Sequence, residues 1–147
     1  MLWPSELGAV RVPSALARQL LDHASRELPN EACALLGGDP VTWTVRTVHP
    51  ARNLMASPYR YEVDPRDLVE IVHRIESQGD DLLAIFHSHT VGEAVPSATD
   101  VREARYPVVH LLASMSGEDE GLRAWTIDPD GHSELPVVIE DADADAA

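Results

Sequence analysis

A short apolar run that ends in polar histidines constrains this chain more than any other feature. Residues 82–86 (LLAIF) are rich in strand-forming types and lie between residues 79–81 (GDD) and residues 87–89 (HSH). This pattern predicts a buried strand. Because side chains alternate along a strand, His87 and His89 would lie on one face at its end.

Two imidazoles on one face, with a carboxylate close by in sequence, suit a zinc ion. Zinc accepts His nitrogen and Asp oxygen readily, and Asp100 could supply a third ligand from the next element. Three protein ligands leave a fourth position for water, as catalytic zinc sites do. Two other interpretations stay open: His87-x-His89 could lie on a solvated face, and Ser97-x-x-Asp100 resembles a helix-start capping pattern.

The combined spacing resembles the metalloprotease motif of the JAMM (MPN, Mov34 or JAB) family. His87-x-His89-x7-Ser97-x2-Asp100 fits that motif at every spacing. The family also has an upstream glutamate, in a segment like Glu-x-Cys-Gly-x-Leu-x-Gly. Residues 31–38 (EACALLGG) are similar to that segment, with alanine at position 34 where glycine is usual. The resemblance covers nearly the whole chain and is greatest to small bacterial Mec-type members.

The resemblance implies a zinc peptidase and a role for each residue of the motif. His87, His89 and Asp100 would hold Zn²⁺. Glu31 would act as general base and then return its proton to the leaving amine, and Ser97 would donate a hydrogen bond to the developing oxyanion. Small bacterial relatives cut after a C-terminal Gly-Gly of ubiquitin-like β-grasp sulfur carriers, so such a carrier is the expected partner. A non-catalytic MPN-type scaffold and a zinc hydrolase of small amides stay open as alternatives.

Patterns along the rest of the chain predict interspersed strands and helices. Apolar residues at helical spacing predict a helix from Pro13 to Leu28, with His23 exposed, and Asp64-Pro65 predicts the start of a second helix that ends at Gly79. Strands are expected at 9–12, 31–36, 41–48, 59–63 and 108–113, followed by a closing hairpin of 122–127 and 135–139.

This mixture of elements indicates an α+β or α/β-type three-layer domain. The family resemblance makes the expectation more specific: a curved, mostly antiparallel sheet flanked by the two longer helices, in the cytidine-deaminase-like fold of JAMM/MPN proteins. Residues 1–140 are expected to form a single metalloprotease domain, and residues 141–147, mostly alternating Asp and Ala, an acidic mobile tail.

Charge and cysteine content limit the remaining possibilities. The net charge of −14 comes from 25 acidic residues against 11 arginines, with no lysine, and argues against nucleic acid as a partner. The same composition suggests the hypothesis of a high-salt cytoplasm. The single cysteine, Cys33, excludes an internal disulfide and is expected as a small core residue or, alternatively, as a thiolate that reaches the zinc. Without an apolar stretch of about 20 residues or a signal peptide pattern, a cytoplasmic protein with no membrane partner is expected.

Overall fold

The computed structural model describes residues 8–104, 108–117 and 121–141. The predicted tail from residue 142 onward therefore lies outside the described residues. Within the described ranges, eight strands form one sheet and three helices accompany it. The elements in chain order are β1 (Val10–Pro13), α1 (Ser14–Glu27), β2 (Cys33–Asp39), β3 (Thr44–Ala51), α2 (Pro65–Ser77), β4 (Asp81–His89), α3 (Ala98–Glu103), β5 (Val109–Ser114), β6 (Leu122–Asp128), β7 (Gly131–Leu135) and β8 (Val137–Glu140).

The sheet is mixed, with the strand order β7-β6-β5-β4-β2-β3-β1-β8. The pairs β4/β5, β1/β3 and β1/β8 are parallel, and the other four neighbouring pairs are antiparallel. The expected α+β class is therefore confirmed, with antiparallel pairing in a narrow majority. Strand β4 lies in the interior of the sheet, between β2 and β5.

A single residue, Pro136, joins the two strands at opposite ends of this order. Strand β7 pairs with β6, whereas β8 pairs with β1, and the Val10 N–H donates to the Pro136 carbonyl at 2.9 Å. The two ends of the sheet must therefore come together at this residue, which requires the sheet to curve.

The two longer helices cover opposite faces of the sheet. Helix α1 buries Leu20 and Ala24 in a cluster that includes Phe86 of β4. Helix α2 buries Ile71 and Ile75 against the other face. As the sequence predicts, Asp64 caps α2 by accepting from the Arg66 N–H at 2.9 Å, and Pro65 occupies its first position. The result is a three-layer arrangement of helix, sheet and helix.

The predicted strand at residues 59–63 is wrong. Only Val63 forms an isolated bridge, with Asn53. The Asn53 amide replaces the hydrogen bonds that a neighbouring strand would supply: its oxygen accepts from the N–H groups of Met55 and Glu62, and its nitrogen donates to the Arg60 carbonyl. The aromatic alternation of this segment therefore belongs to a loop that a side chain holds in place.

Two further predictions are corrected. The hairpin partner of β6 is β7 rather than residues 135–139, because Pro136 lacks an N–H and interrupts the ladder before β8. His23 is not exposed but buried in α1, where its Nε2–H donates to the Cys33 carbonyl at 2.9 Å. The helix face that carries His23 therefore packs against the start of β2.

Candidate metal centre

The end of β4 and the first turn of α3 bring His87, His89 and Asp100 together. The two histidine Nε2 atoms are 3.2 Å apart, and Asp100 Oδ2 lies 3.3 Å from His87 Nε2 and 3.1 Å from His89 Nε2. Within the described residues, these three form the sole group of His, Cys, Asp or Glu with ligand atoms this close together. Strand β4 extends through both histidines, so side-chain alternation places them on one face as the sequence predicts.

The geometry of these three atoms fits a tetrahedral metal ion. Ligand bonds of about 2.0–2.1 Å to zinc place neighbouring ligand atoms about 3.3 Å apart, close to the separations above. Burial lowers the pKa of His87, which keeps its imidazole neutral and able to ligate. Burial alone would raise the pKa of Asp100, but hydrogen bonds with the two histidines outweigh it and hold that pKa well below its usual range. Burial alone would lower the pKa of His89, but hydrogen bonds with Asp100 and the Glu93 carbonyl outweigh it and raise that pKa. Two imidazoles and one carboxylate are a donor set that zinc accepts.

The tautomer of His89 is fixed by the loop that follows β4. Three successive carbonyls of this loop, at residues 92–94, accept hydrogen bonds from Ser114 at 2.6 Å, His89 at 2.8 Å and Trp125 at 2.9 Å. Because His89 donates through Nδ1, its Nε2 is the nitrogen that faces His87 and Asp100 and would bind a metal ion. The same bonds hold the loop against β5 and β6.

Ser97 and Asp100 form the capping box of α3. The Ser97 N–H donates to Asp100 Oδ2 at 2.8 Å, and the Asp100 N–H donates to Ser97 Oγ at 3.0 Å. The helix-start interpretation and the ligand interpretation of this motif are therefore compatible, because one carboxylate oxygen serves the cap and faces both histidines. Ser97 Oγ accepts in this bond, which leaves its hydroxyl proton available to a substrate.

Glu31 precedes β2 rather than lying within it, and its position is set by hydrogen bonds of the backbone. Its N–H donates to the Ser57 carbonyl at 2.8 Å, and its carbonyl accepts from Asn53 Nδ2 at 3.0 Å. Burial raises the pKa of its carboxyl group to about 8, partly offset by His89 and reinforced by Asp100. The carboxyl group of Glu31 therefore interacts electrostatically with His89 and Asp100.

Two residues that the sequence analysis did not single out help to hold the centre. The Ser88 hydroxyl, on the opposite face of β4, accepts from the Ala32 N–H at 2.9 Å and so fixes the residue after Glu31. The Tyr61 ring is stacked on the imidazole of His87. Ser88 could have been found from its place between the two histidines, whereas no spacing pattern points to Tyr61.

Cys33 does not belong to the group of close ligand atoms. Its thiol donates to the Ala51 carbonyl at 3.7 Å, and burial raises its pKa to about 12. Cys33 packs with Leu35 and Ile75 under helix α2. The geometry favours the core role over the thiolate ligand.

A family model and several known proteins are similar to most of this chain. The family model for prokaryotic homologs of the JAB domain matches residues 13–128. The desampylase of Haloferax volcanii is 40% identical over 119 residues, which cover 80% of this chain and 84% of that protein. The probable TtuB-protein conjugate cleaving protease of Thermus thermophilus is 35% identical, covering 87% of this chain and 82% of that protein.

Two further similarities extend over most of the chain. The CysO-cysteine peptidase of Mycobacterium tuberculosis is 32% identical over 126 residues, covering 84% of this chain and 86% of that protein. A solution structure of a protein from Desulfitobacterium hafniense superposes with a TM-score of 0.81 at 32% identity, covering 89% of this chain and 92% of the other. Among the described helices, none combines the length and apolar character needed to cross a membrane.

Proposed function

We propose that this chain, which belongs to the prokaryotic homologs of the JAB domain and is a JAMM-type peptidase, hydrolyses the bond after a C-terminal Gly-Gly of a ubiquitin-like sulfur carrier. The convergence of His87, His89 and Asp100 within 3.3 Å is the observation that carries this proposal. Glu31 is buried and interacts electrostatically with His89 and Asp100.

The three close side chains would hold a zinc ion. When bound there, zinc supplies Lewis acidity and lowers the pKa of an attacking water toward ~7. The Glu93 carbonyl keeps His89 oriented for this role, and the capping box does the same for Asp100.

Glu31 is the proposed general base. A useful base has a pKa near the working pH, and burial raises the pKa of Glu31 to about 8. Its carboxylate takes a proton from the attacking water and later delivers that proton to the nitrogen of the leaving amine. Hydrolysis of a peptide bond and of an isopeptide bond each releases such an amine.

Ser97 is the proposed donor to the oxygen of the scissile carbonyl. That oxygen gains negative charge as the carbonyl is attacked, and a fixed O–H donor stabilises the charge. Because Ser97 Oγ already accepts from the Asp100 N–H, the hydroxyl group is held at the start of α3, next to the metal ligands.

The choice of substrate is supported by the relatives and by the shape around the centre. The similar proteins include a cleaving protease for TtuB-protein conjugates and a CysO-cysteine peptidase. The loop after β4 is joined to the loop before α2 by a hydrogen bond of 2.7 Å from the Thr90 hydroxyl to the Pro58 carbonyl. We infer that this bond restricts the approach to His89, which favours a tail without side chains, such as Gly-Gly.

Metal content and cleavage, measured on the same samples, test the proposal. The parent should bind about one zinc per chain and cleave a carrier–Gly-Gly fusion, whereas His87→Ala should lose both. Zinc binding with turnover of small amides but not of the fusion would move the assignment to a small-amide hydrolase. A parent that binds no zinc after reconstitution would contradict the proposal and favour a scaffold.

A further inference from the structure

A cavity of about 350 Å³ adjoins the metal centre on the side of Asp100. Its floor is formed by Ile85 of β4 and His110 of β5, which are register partners in the sheet. Tyr61 and Leu68 line it on one side, and α3 lines it on the other. The cavity therefore begins at a proposed metal ligand and leads away from it across the sheet.

His110 is a buried polar side chain without a partner in this cavity. It is 4% exposed, and neither ring nitrogen has a hydrogen-bond partner among the described residues. Burial lowers its pKa from 6.5 to about 4, with Asp100 opposing and His87 reinforcing this shift. The imidazole is therefore neutral near pH 7 and offers one N–H donor and one acceptor. An unpaired buried polar group destabilises a fold, so His110 calls for an explanation other than packing.

The position of Glu31 indicates which part of a substrate would lie over His110. Glu31 lines a separate depression together with His23, Glu27 and Arg52. Because Glu31 would protonate the leaving amine, the amine side of the substrate belongs at that depression. The acyl side, which carries the Gly-Gly tail, then extends along the cavity of Asp100 and His110.

The distance along the strand indicates which group of the tail would reach His110. His110 is level with Ile85, two residues before His87. A strand rises about 3.3 Å per residue, so His110 lies about 7 Å from the level of the metal ligands. An extended tail covers the same distance in two residues, which places over His110 the amide that joins Gly-Gly to the preceding residue.

The charges around the cavity limit the chemistry of that part of the tail. Glu62, Asp100 and Glu103 all line it, and Arg60, the one arginine among its described lining residues, pairs with Glu103 of α3. A carboxylate would be repelled, whereas an uncharged main-chain amide presents one donor and one acceptor to a neutral imidazole.

From these contacts we infer that His110 is a specificity-determining residue, which hydrogen-bonds the main-chain amide preceding Gly-Gly in the bound tail. This inference rests on the proposed function, because the direction of the tail follows from the role given to Glu31.

An amide-to-ester replacement in the tail tests the inference directly. The probes are a zinc-loaded parent and a short acetylated peptide that ends in Gly-Gly, with either an amide or an ester linking Gly-Gly to the residue before it. Isothermal titration should show that the ester binds the parent about 2- to 10-fold more weakly, since an ester lacks the N–H and is a poorer acceptor. His110→Leu should bind both peptides equally, and no more tightly than the parent binds the ester.

Further variants separate recognition from folding. His110→Gln keeps a donor and an acceptor and should recover sensitivity to the ester, while His73→Leu, at an exposed position on α2, should behave like the parent. His110→Leu should melt no lower than the parent, because it removes an unpaired buried group. Equal binding of the two peptides by the parent, or no binding of either, would overturn the inference even if both His110 variants failed to fold.

The inference and the proposed function fail in different experiments. Ester-sensitive binding by a parent that cleaves no carrier fusion would remove the proposed function and leave His110 as a tail-binding residue. Cleavage of the fusion together with ester-insensitive binding would leave the function and remove this role of His110.

Discussion

The ring of Tyr61 lies against the imidazole of His87, with the ring centroids 4.3 Å apart and the planes inclined by 20°. The Nδ1 atom of His87 has no hydrogen-bond partner among the described residues. Stacking therefore supplies the orientation that a hydrogen bond to the second nitrogen commonly gives a metal-binding histidine. A residue of the loop before α2 thus supports the metal centre without reaching the metal.

Removing that ring should weaken metal binding. Tyr61→Ala should lower zinc affinity by about 10-fold or more, because the His87 ring loses its support, whereas Tyr61→Phe keeps the stacked ring and should match the parent. Competition with a chromophoric chelator measures both affinities. Equal affinities for the parent and Tyr61→Ala would mean that the stacking is incidental.

Replacing the proposed base should separate binding from turnover. Glu31→Gln should retain zinc but cleave a carrier fusion at least about 100-fold more slowly, because an amide cannot take a proton from water. Glu70→Gln is the matched control, since Glu70 is exposed on α2 and has no proposed role. Single-turnover rates, with zinc measured on each sample, check this; parent-like cleavage by Glu31→Gln would refute the assignment.

Substitution of Ser97 should affect both catalysis and the stability of α3. Ser97→Ala removes the hydroxyl donor and the cap of α3, so kcat should fall about 100-fold or more and the stability by about 1 kcal/mol. Ser97→Thr retains a hydroxyl and should recover much of both. Steady-state kinetics and chemical denaturation measure the two effects, and a loss of stability without a loss of kcat would leave Ser97 with the cap alone.

Burial of His110 should make the stability of the chain depend on pH. Its pKa is lowered from 6.5 to about 4 on folding, so the unfolded chain binds the proton first as the pH falls. The free energy of unfolding is therefore unaffected by this titration above pH 6.5 and decreases as the pH falls toward 4, by about 3 kcal/mol. Chemical denaturation with a chelator present should show this decrease in the free energy of unfolding of the parent. The decrease should be smaller in His110→Leu, where His87 and Asp100 still have shifted pKa values. Identical pH profiles for the two would contradict it.

The acidic, lysine-free composition should make stability sensitive to salt. With a net charge of −14, self-repulsion destabilises the compact state, and added ions screen it. The melting temperature should rise steeply as KCl approaches molar concentration if the chain is adapted to high salt. Thermal denaturation in a KCl series, with sucrose as a non-ionic control, checks this, and a flat series would rule that adaptation out.

Local chemistry determined which parts of the fold could be predicted. The Asp64-Pro65 pair specifies the start of α2 by itself. His87 and His89 lie on one face because side chains alternate along β4. The burial of His23, by contrast, depends on a carbonyl ten residues away in the chain that only the folded structure brings near. The path of β8 depends on β1, at the other end of the described chain.

The residues of the candidate site also include some that the sequence predicts and some that it does not. His87, His89, Ser97 and Asp100 lie within one stretch whose spacing carries chemical information, and the resemblance to a family added Glu31. Tyr61 reaches the centre through a loop whose shape is set by Asn53, and no periodicity encodes such a contact. Residues that support a site by packing are recognised only when three-dimensional proximity is known.

The interior position of β4 has a consequence for how a partner can dock. Many proteins capture an extended peptide by adding it as one more strand at a sheet edge, so that main-chain pairing supplies affinity whatever the peptide sequence. Strand β4 pairs with β2 between residues 81 and 87 and with β5 between residues 84 and 89, so both of its hydrogen-bonding sides are occupied at His87. A tail that reaches His87 must lie across the face of the sheet. Contacts with individual side chains there would determine which carriers bind.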